Sequence, residues 1–147
     1  MRTMKLICFW LAAYLSLPAF AASAAPAFSE RAFREECSAF SQAGMRDCLA
    51  KKAEDSQKAL RQAEEKVANT LLRWDEDAKY INQAKSKLTA SNKDFAKHRD
   101  SQCEFLASLR GGGAGNAHEI GRLACITELN SNRVKQLRDA LSDLPLK

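Results

Sequence analysis

The sequence predicts an all-α protein: a small helical bundle with an antiparallel helical hairpin, stapled by two disulfides. Three observations carry this. From Ala50 to Leu109 there is neither proline nor glycine, and Ala, Lys, Glu, Gln and Arg, all good helix formers, dominate. Within that stretch Leu60, Val67, Trp74, Ile81, Leu88 and Phe95 recur every seven residues. Seven residues are nearly two helical turns, so these side chains draw one apolar seam along a helix, and such a seam must be buried against another helix. Finally, Cys37, Cys48, Cys103 and Cys125 form an even set that reads as two disulfides in an oxidising compartment.

The compartment follows from the amino terminus. Arg2 and Lys5 precede an apolar run from Leu6 to Leu17, followed by Pro18 and small residues. Ala19-Phe20-Ala21 and Ala22-Ser23-Ala24 are both readable as cleavage sites. This is the order of a secretory signal peptide, and the run is too short to span a bilayer. Residues 1–24 are therefore expected to be a signal peptide and 25–147 a single domain. Export to the periplasm, or outside the cell, follows, with no membrane insertion after cleavage; an uncleaved anchor is the alternative.

Cleavage after Ala24 leaves 123 residues, enough for one domain. It also leaves 21 basic residues against 18 acidic, a net charge of about +3. That charge is too mild, and too evenly mixed, to indicate a nucleic-acid partner.

Along the mature chain, Ser29 caps a short helix with Phe33, Cys37 and Phe40 on its apolar side. Ser41 caps the next, where Gly44 occupies the position at which a capping box places Glu or Gln. One helix from Ser41 to Leu109 would be roughly 100 Å long. A break is therefore expected between about Lys79 and Ser86, where Tyr80, Asn82 and Ser86 weaken helix propensity. The unbroken seven-residue phase through Ile81 favours the alternative, one long helix in a parallel homodimer.

Arg110-Gly-Gly-Gly-Ala-Gly-Asn116 cannot hold helix, since four of its glycines fall within five positions. Helical pattern resumes with Ile120, Leu123, Ile126, Leu129, Val134, Leu137, Leu141 and Leu144, ending at Pro145. Cys103 lies seven residues before Arg110 and Cys125 eight after Ala117, nearly equal depths in an antiparallel hairpin. Of three connectivities, the geometry favours Cys103–Cys125, which leaves Cys37–Cys48. By the same reasoning Asp100 and Arg133 are expected to form an interhelical ion pair, with Thr127 in the same layer.

The chain lacks the motifs of known chemistry. There is no Gly-x-Ser-x-Gly, no His-Glu-x-x-His, and no phosphate-cradling glycine loop between strand and helix. His98 and His118 are the only histidines and do not form a convergent ligand set, and no cysteine pair has Cys-x-x-Cys spacing. Asp75 and Asp77 lie on a charged helix face. No enzyme activity, metal or cofactor is expected.

The motifs, taken in order, resemble those of the LprI-like amino-terminal family, small exported four-cysteine domains named after a lysozyme inhibitor. The residues that carry the resemblance are Cys37 with Met45-Arg-Asp-Cys48, and Asn92-Lys-Asp-Phe95-Ala-Lys-His-Arg99-Asp100-Ser-Gln-Cys103. After these come Gly111-Gly-Gly, Cys125-Ile-Thr127, Arg133 and Leu137. The match spans about residues 37 to 137. Asn92 stands where the family usually has Gln, Phe95 where it has Trp, and Gly44 where an acidic residue is common. The family's Leu-Asn with a following Tyr has only Leu60-Arg61 as its nearest counterpart here.

Two functions are compatible with this reading. The first is a non-enzymatic protein-interaction module that binds a protein partner through its long helix faces, with Trp74 and Tyr80 as anchors. The second, implied by the resemblance, is a periplasmic inhibitor of lysozyme acting through the 110–117 loop. There Arg110, the one charged group at the tip, would meet cleft carboxylates beside Gly111, Gly112 and Gly113. Common lysozymes are basic, so a chain near +3 has no long-range steering toward them, and local contacts must carry the binding.

Overall fold

The structure, a computed structural model, describes residues 28–112 and 115–147. The expected signal peptide and Gly113 lie outside the described residues. Four helices follow in order: α1 (Glu30–Glu36), α2 (Gln42–Leu71), α3 (Ala78–Ser108) and α4 (Asn116–Asp139). Among the described residues no helix is long and apolar enough to cross a membrane.

Each start has a local cause. The Ser29 hydroxyl accepts from the Ala32 amide at 3.2 Å, satisfying a donor the helix cannot. Ser41 does the same for Gly44 at 3.3 Å. The absent capping-box side chain at Gly44 is explained by crowding, because a Cβ there would lie 2.9 Å from that of Phe40.

The long helical stretch does reverse, but earlier than expected. α2 ends at Leu71 and α3 begins at Ala78, so the reversal falls on residues 72–77 and Lys79 to Ser86 is continuous helix. The turn is held by backbone pairing with the end of the chain. Asp75 donates to the Pro145 carbonyl at 3.0 Å and Lys147 to that of Arg73 at 2.9 Å, with Trp74 and Leu146 bridged antiparallel. The last helix likewise ends at Asp139, ahead of the expected stop, and Leu141 and Leu144 pack from a turn.

The packing gives the topology. Leu49 and Ala53 of α2 meet Ile120, Leu123 and Ala124 of α4, with Cys37 beside them. Further along, Leu60, Ala63, Val67 and Leu71 meet Val134 and Leu137. Partners advance together on both helices, so α2 and α4 run parallel. α3 runs against them, since Cys103 bonds Cys125 while Arg99 reaches Asn130 at 3.2 Å. α4 is the hub: it touches every other helix, and α2 most extensively. Both disulfides, Cys37–Cys48 and Cys103–Cys125, brace the end where α1 packs.

Candidate functional site

The braced end is assembled from four pieces of chain: α1, the start of α2, the end of α3 and the start of α4. The two disulfides hold these pieces with Cα separations of 5.9 and 5.5 Å. Gly111 turns the chain out of α3 at φ +72° and Gly115 turns it into α4 at φ +44°, backbone that a side chain would strain. His118 Nε2 donates to the Gly111 carbonyl at 2.6 Å and ties the turn to the first turn of α4.

Arg110 does not project from the tip as a lone charge. Its guanidinium folds back to Glu30 at 2.8 Å and lies over Gly121, where a Cβ would come within 3.1 Å of Nε. Large apolar groups do stand uncovered here. Phe105 is 55 % exposed and Leu109 65 %. They sit four residues apart on one helical face, on the side of α3 opposite the buried Cys103 and Ala107. Phe40, in the α1–α2 connection, is also exposed.

Below this end lies a polar layer between the two apolar clusters. Asn130 is fully buried and donates to Ser56 Oγ at 3.0 Å, while Arg99 Nη1 donates to Asn130 Oδ1 and, at 2.5 Å, to Gln57 Oε1. Arg99 also holds Asp100 through Nε and Nη2 at 2.8 and 2.7 Å. Asp100 therefore pairs with its neighbour and not with Arg133, which donates instead to Ser91 at 2.8 Å and Asn92 at 3.2 Å. Depth explains the correction. Asp100 is three residues from its disulfide cysteine and Arg133 eight, a mismatch of roughly 7 Å at 1.5 Å per residue. That places Arg133 opposite Phe95, 5.6 Å from its ring centre, with its Nε buried and unpaired among the described residues. Thr127 bonds within α4, to the Leu123 carbonyl at 2.8 Å.

At the far end Trp74 is half-buried and packs on the second apolar cluster, while Tyr80 is 47 % exposed. Leu72 and Leu146 are exposed near the same turn.

Two carboxylates are displaced from their ordinary acidity in opposite senses. At the braced end the Arg122 hydrogen bonds, at 2.6 and 2.8 Å, hold Glu119 below the usual carboxylate range, and Arg122 is correspondingly raised. On α2, burial pushes Glu64 upward, against the opposing pull of Arg133 and Arg99. Among the described residues no three metal-ligating side chains converge.

Sequence reasoning missed several of these groups. Ser56 and Asn130 were detectable, because each takes a core slot in a three-four spacing of apolar residues: 49, 53, 56, 60, 63, 67 on α2 and 120, 123, 127, 130, 134, 137 on α4. Exposure of Phe105 and Leu109 was not, since apolar residues on an unplaced helix read as core.

A protein-family model described as "Lysozyme inhibitor LprI" matches residues 35–137, a span that holds both disulfides and nearly all of α2, α3 and α4. Comparison with curated proteins gives no match, and neither does comparison with solved structures.

Proposed function

From the chain's membership of the LprI lysozyme inhibitor family, we propose that it acts after export as a non-enzymatic, protein-binding helical domain, with a lysozyme as its partner. The contact is made by the braced end. One observation carries this reading: both disulfides converge on the end where Phe105 and Leu109 stand uncovered beside the glycine turn. Apolar side chains held on a crosslinked frame lose little freedom on binding, which is the condition for a small surface to bind tightly. The periplasm or cell exterior is the compartment in which such a pairing of cysteines persists.

The test is inhibition of a purified lysozyme by the mature protein, with Phe105→Ser and Leu109→Ser as variants. Each is expected to weaken inhibition by about tenfold or more, as truncation of an interface anchor does. Full inhibition by the double variant removes the braced end from the contact.

A second reading is favoured by the opposite end, where Leu72, Tyr80 and Leu146 are exposed near the turn that carries the half-buried Trp74. There the partner would engage the α2–α3 turn. Tyr80→Ala separates the two readings: it abolishes binding under this one and leaves binding intact under the first.

A further inference from the structure

At the braced end, α1 and the starts of α2 and α4 border an open groove of about 390 Å³. Met45 and Ile120 form its apolar part, and Arg31, Arg34 and Arg110 line it as well. Arg34 and Arg110 come from distant parts of the chain yet converge on one atom. Glu30 Oε1 lies 3.3 Å from Arg34 Nη2 and 2.8 Å from Arg110 Nη2. A guanidinium carries five N–H donors, so one shared oxygen engages only a small part of what the pair offers. Arg31 makes no ion pair among the described residues.

Arg110 is also seated, not loose. Its guanidinium lies where a Cβ of Gly121 would stand, at 3.1 Å from Nε and 3.2 Å from Nη2. Gly121 is inside α4 and buried. Glycine is the poorest helix former after proline, so its presence there is explained by the room it leaves for Arg110.

We infer that this groove receives a carboxylate from the protein partner: an acidic side chain set between apolar residues, its charge on the arginines and its neighbours on Met45 and Ile120. Glu30 already bridges Arg34 and Arg110 through one oxygen, so a carboxylate is a group this pair accommodates. Three guanidinium groups against Glu30 and Glu35 leave the groove positive, and paired N–H donors match a carboxylate better than any single-point cation does. The inference deepens the proposed function and rests on the reading that the braced end is the binding end.

The experiment titrates the mature protein with acetyl-Leu-Glu-Leu-amide and with its glutamine counterpart at constant ionic strength, following the arginine Nε–Hε resonances by NMR. The glutamate peptide is expected to shift Arg34 and Arg110 and to bind at least about tenfold more tightly than the glutamine peptide, the difference made by a charge-assisted pair. Arg31→Ala, which disturbs no ion pair within the described residues, is expected to weaken the glutamate peptide several-fold. Glu30→Gln is expected to tighten it by removing the competitor. Equal response to both peptides, or to acetate alone at the same concentration, overturns the inference.

Lysozyme binding by the same variants separates the two readings. If Arg31→Ala with Arg34→Ala retains full lysozyme binding while Leu109→Ser loses it, the groove is excluded and the proposed function stands. If the wild type discriminates the peptides but binds no lysozyme, the groove stands and the lysozyme reading falls.

Discussion

The two ends of the bundle are held by different physics. The end that carries α1 and the glycine turn has both disulfides, a small apolar cluster around Leu49 and Leu123, and exposed Phe105 and Leu109. The far end has no covalent link among the described residues. It is closed by the larger cluster around Leu60, Val67 and Leu137 and by the pairing of residues 73–75 with 145–147. Both ends leave apolar side chains uncovered, Phe105 and Leu109 at one and Leu72, Tyr80 and Leu146 at the other; the difference is that crosslinks hold the first and the larger buried cluster holds the second. An end that leaves its side chains available for a partner forgoes their contribution to folding, and the disulfides offset that loss.

The largest effect should come from removing a crosslink. Replacing Cys103 and Cys125 by serine is expected to cost about 3 kcal/mol, and replacing Cys37 and Cys48 a few tenths less because the closed loop is shorter. The separations are 22 and 11 residues, and urea unfolding of the oxidised variants measures both. If either loss is negligible, the braced end is held by packing after all, and the contrast between the ends fails.

Next is the polar layer that divides the two clusters. Asn130→Ala removes the side-chain bonds to Ser56 and from Arg99 and leaves a gap at a fully buried position, and is expected to cost about 2 kcal/mol. Asn130→Leu distinguishes satisfaction from shape: it restores volume but not the hydrogen bonds, so it should recover little stability.

At the far end, deleting residues 145–147 removes two backbone hydrogen bonds and uncovers one side of Trp74, for about 1 kcal/mol. Trp10 leaves with the expected signal peptide, so Trp74 is the sole tryptophan of the mature chain and its emission should move to the red. Unchanged emission would show that the second cluster alone covers it.

The smallest effect is a pH dependence with opposite signs on the two carboxylates. Glu119, its acidity strengthened by Arg122, contributes stability that is present above its unfolded pKa and is lost as pH falls through the lower folded value. Glu64 is the reverse. Its ionised form is penalised by burial at neutral pH, and the penalty is relieved as pH falls through its raised folded value toward the unfolded one. Both groups are partly solvated, so each is worth on the order of a few tenths of a kcal/mol. Glu64→Gln should therefore raise stability at pH 7 slightly and Glu119→Gln lower it. Equal signs would contradict the assignment of burial to one and hydrogen bonding to the other.

Much of the fold was legible because it rests on spacing. The seven-residue seam, the absence of helix breakers and the equal cysteine depths require only helical geometry, and they lead to the hairpin and both disulfides. The reversal at 72–77 was hidden by that same seam, since Trp74 keeps the period while standing outside both helices. Asp75 and Asp77 were the available signal, because aspartate favours turns and helix starts over interiors, and Asp77 is the N-cap of α3. The candidate site was less legible for a different reason. Whether Arg110 is a free probe or a seated group depends on Glu30, eighty positions away, and on a missing Cβ at Gly121. No local pattern carries that information.

The hub position of α4 also sets an order of events during biosynthesis. Every other helix packs on the last of the four to be synthesised, so the earlier helices have little to condense around until it emerges. Cys37 and Cys48 are close in sequence and can be oxidised before α4 appears, whereas Cys103 must wait for Cys125 to arrive. Assembly of the bundle, and closure of its second crosslink, are thus deferred until α4 has been made.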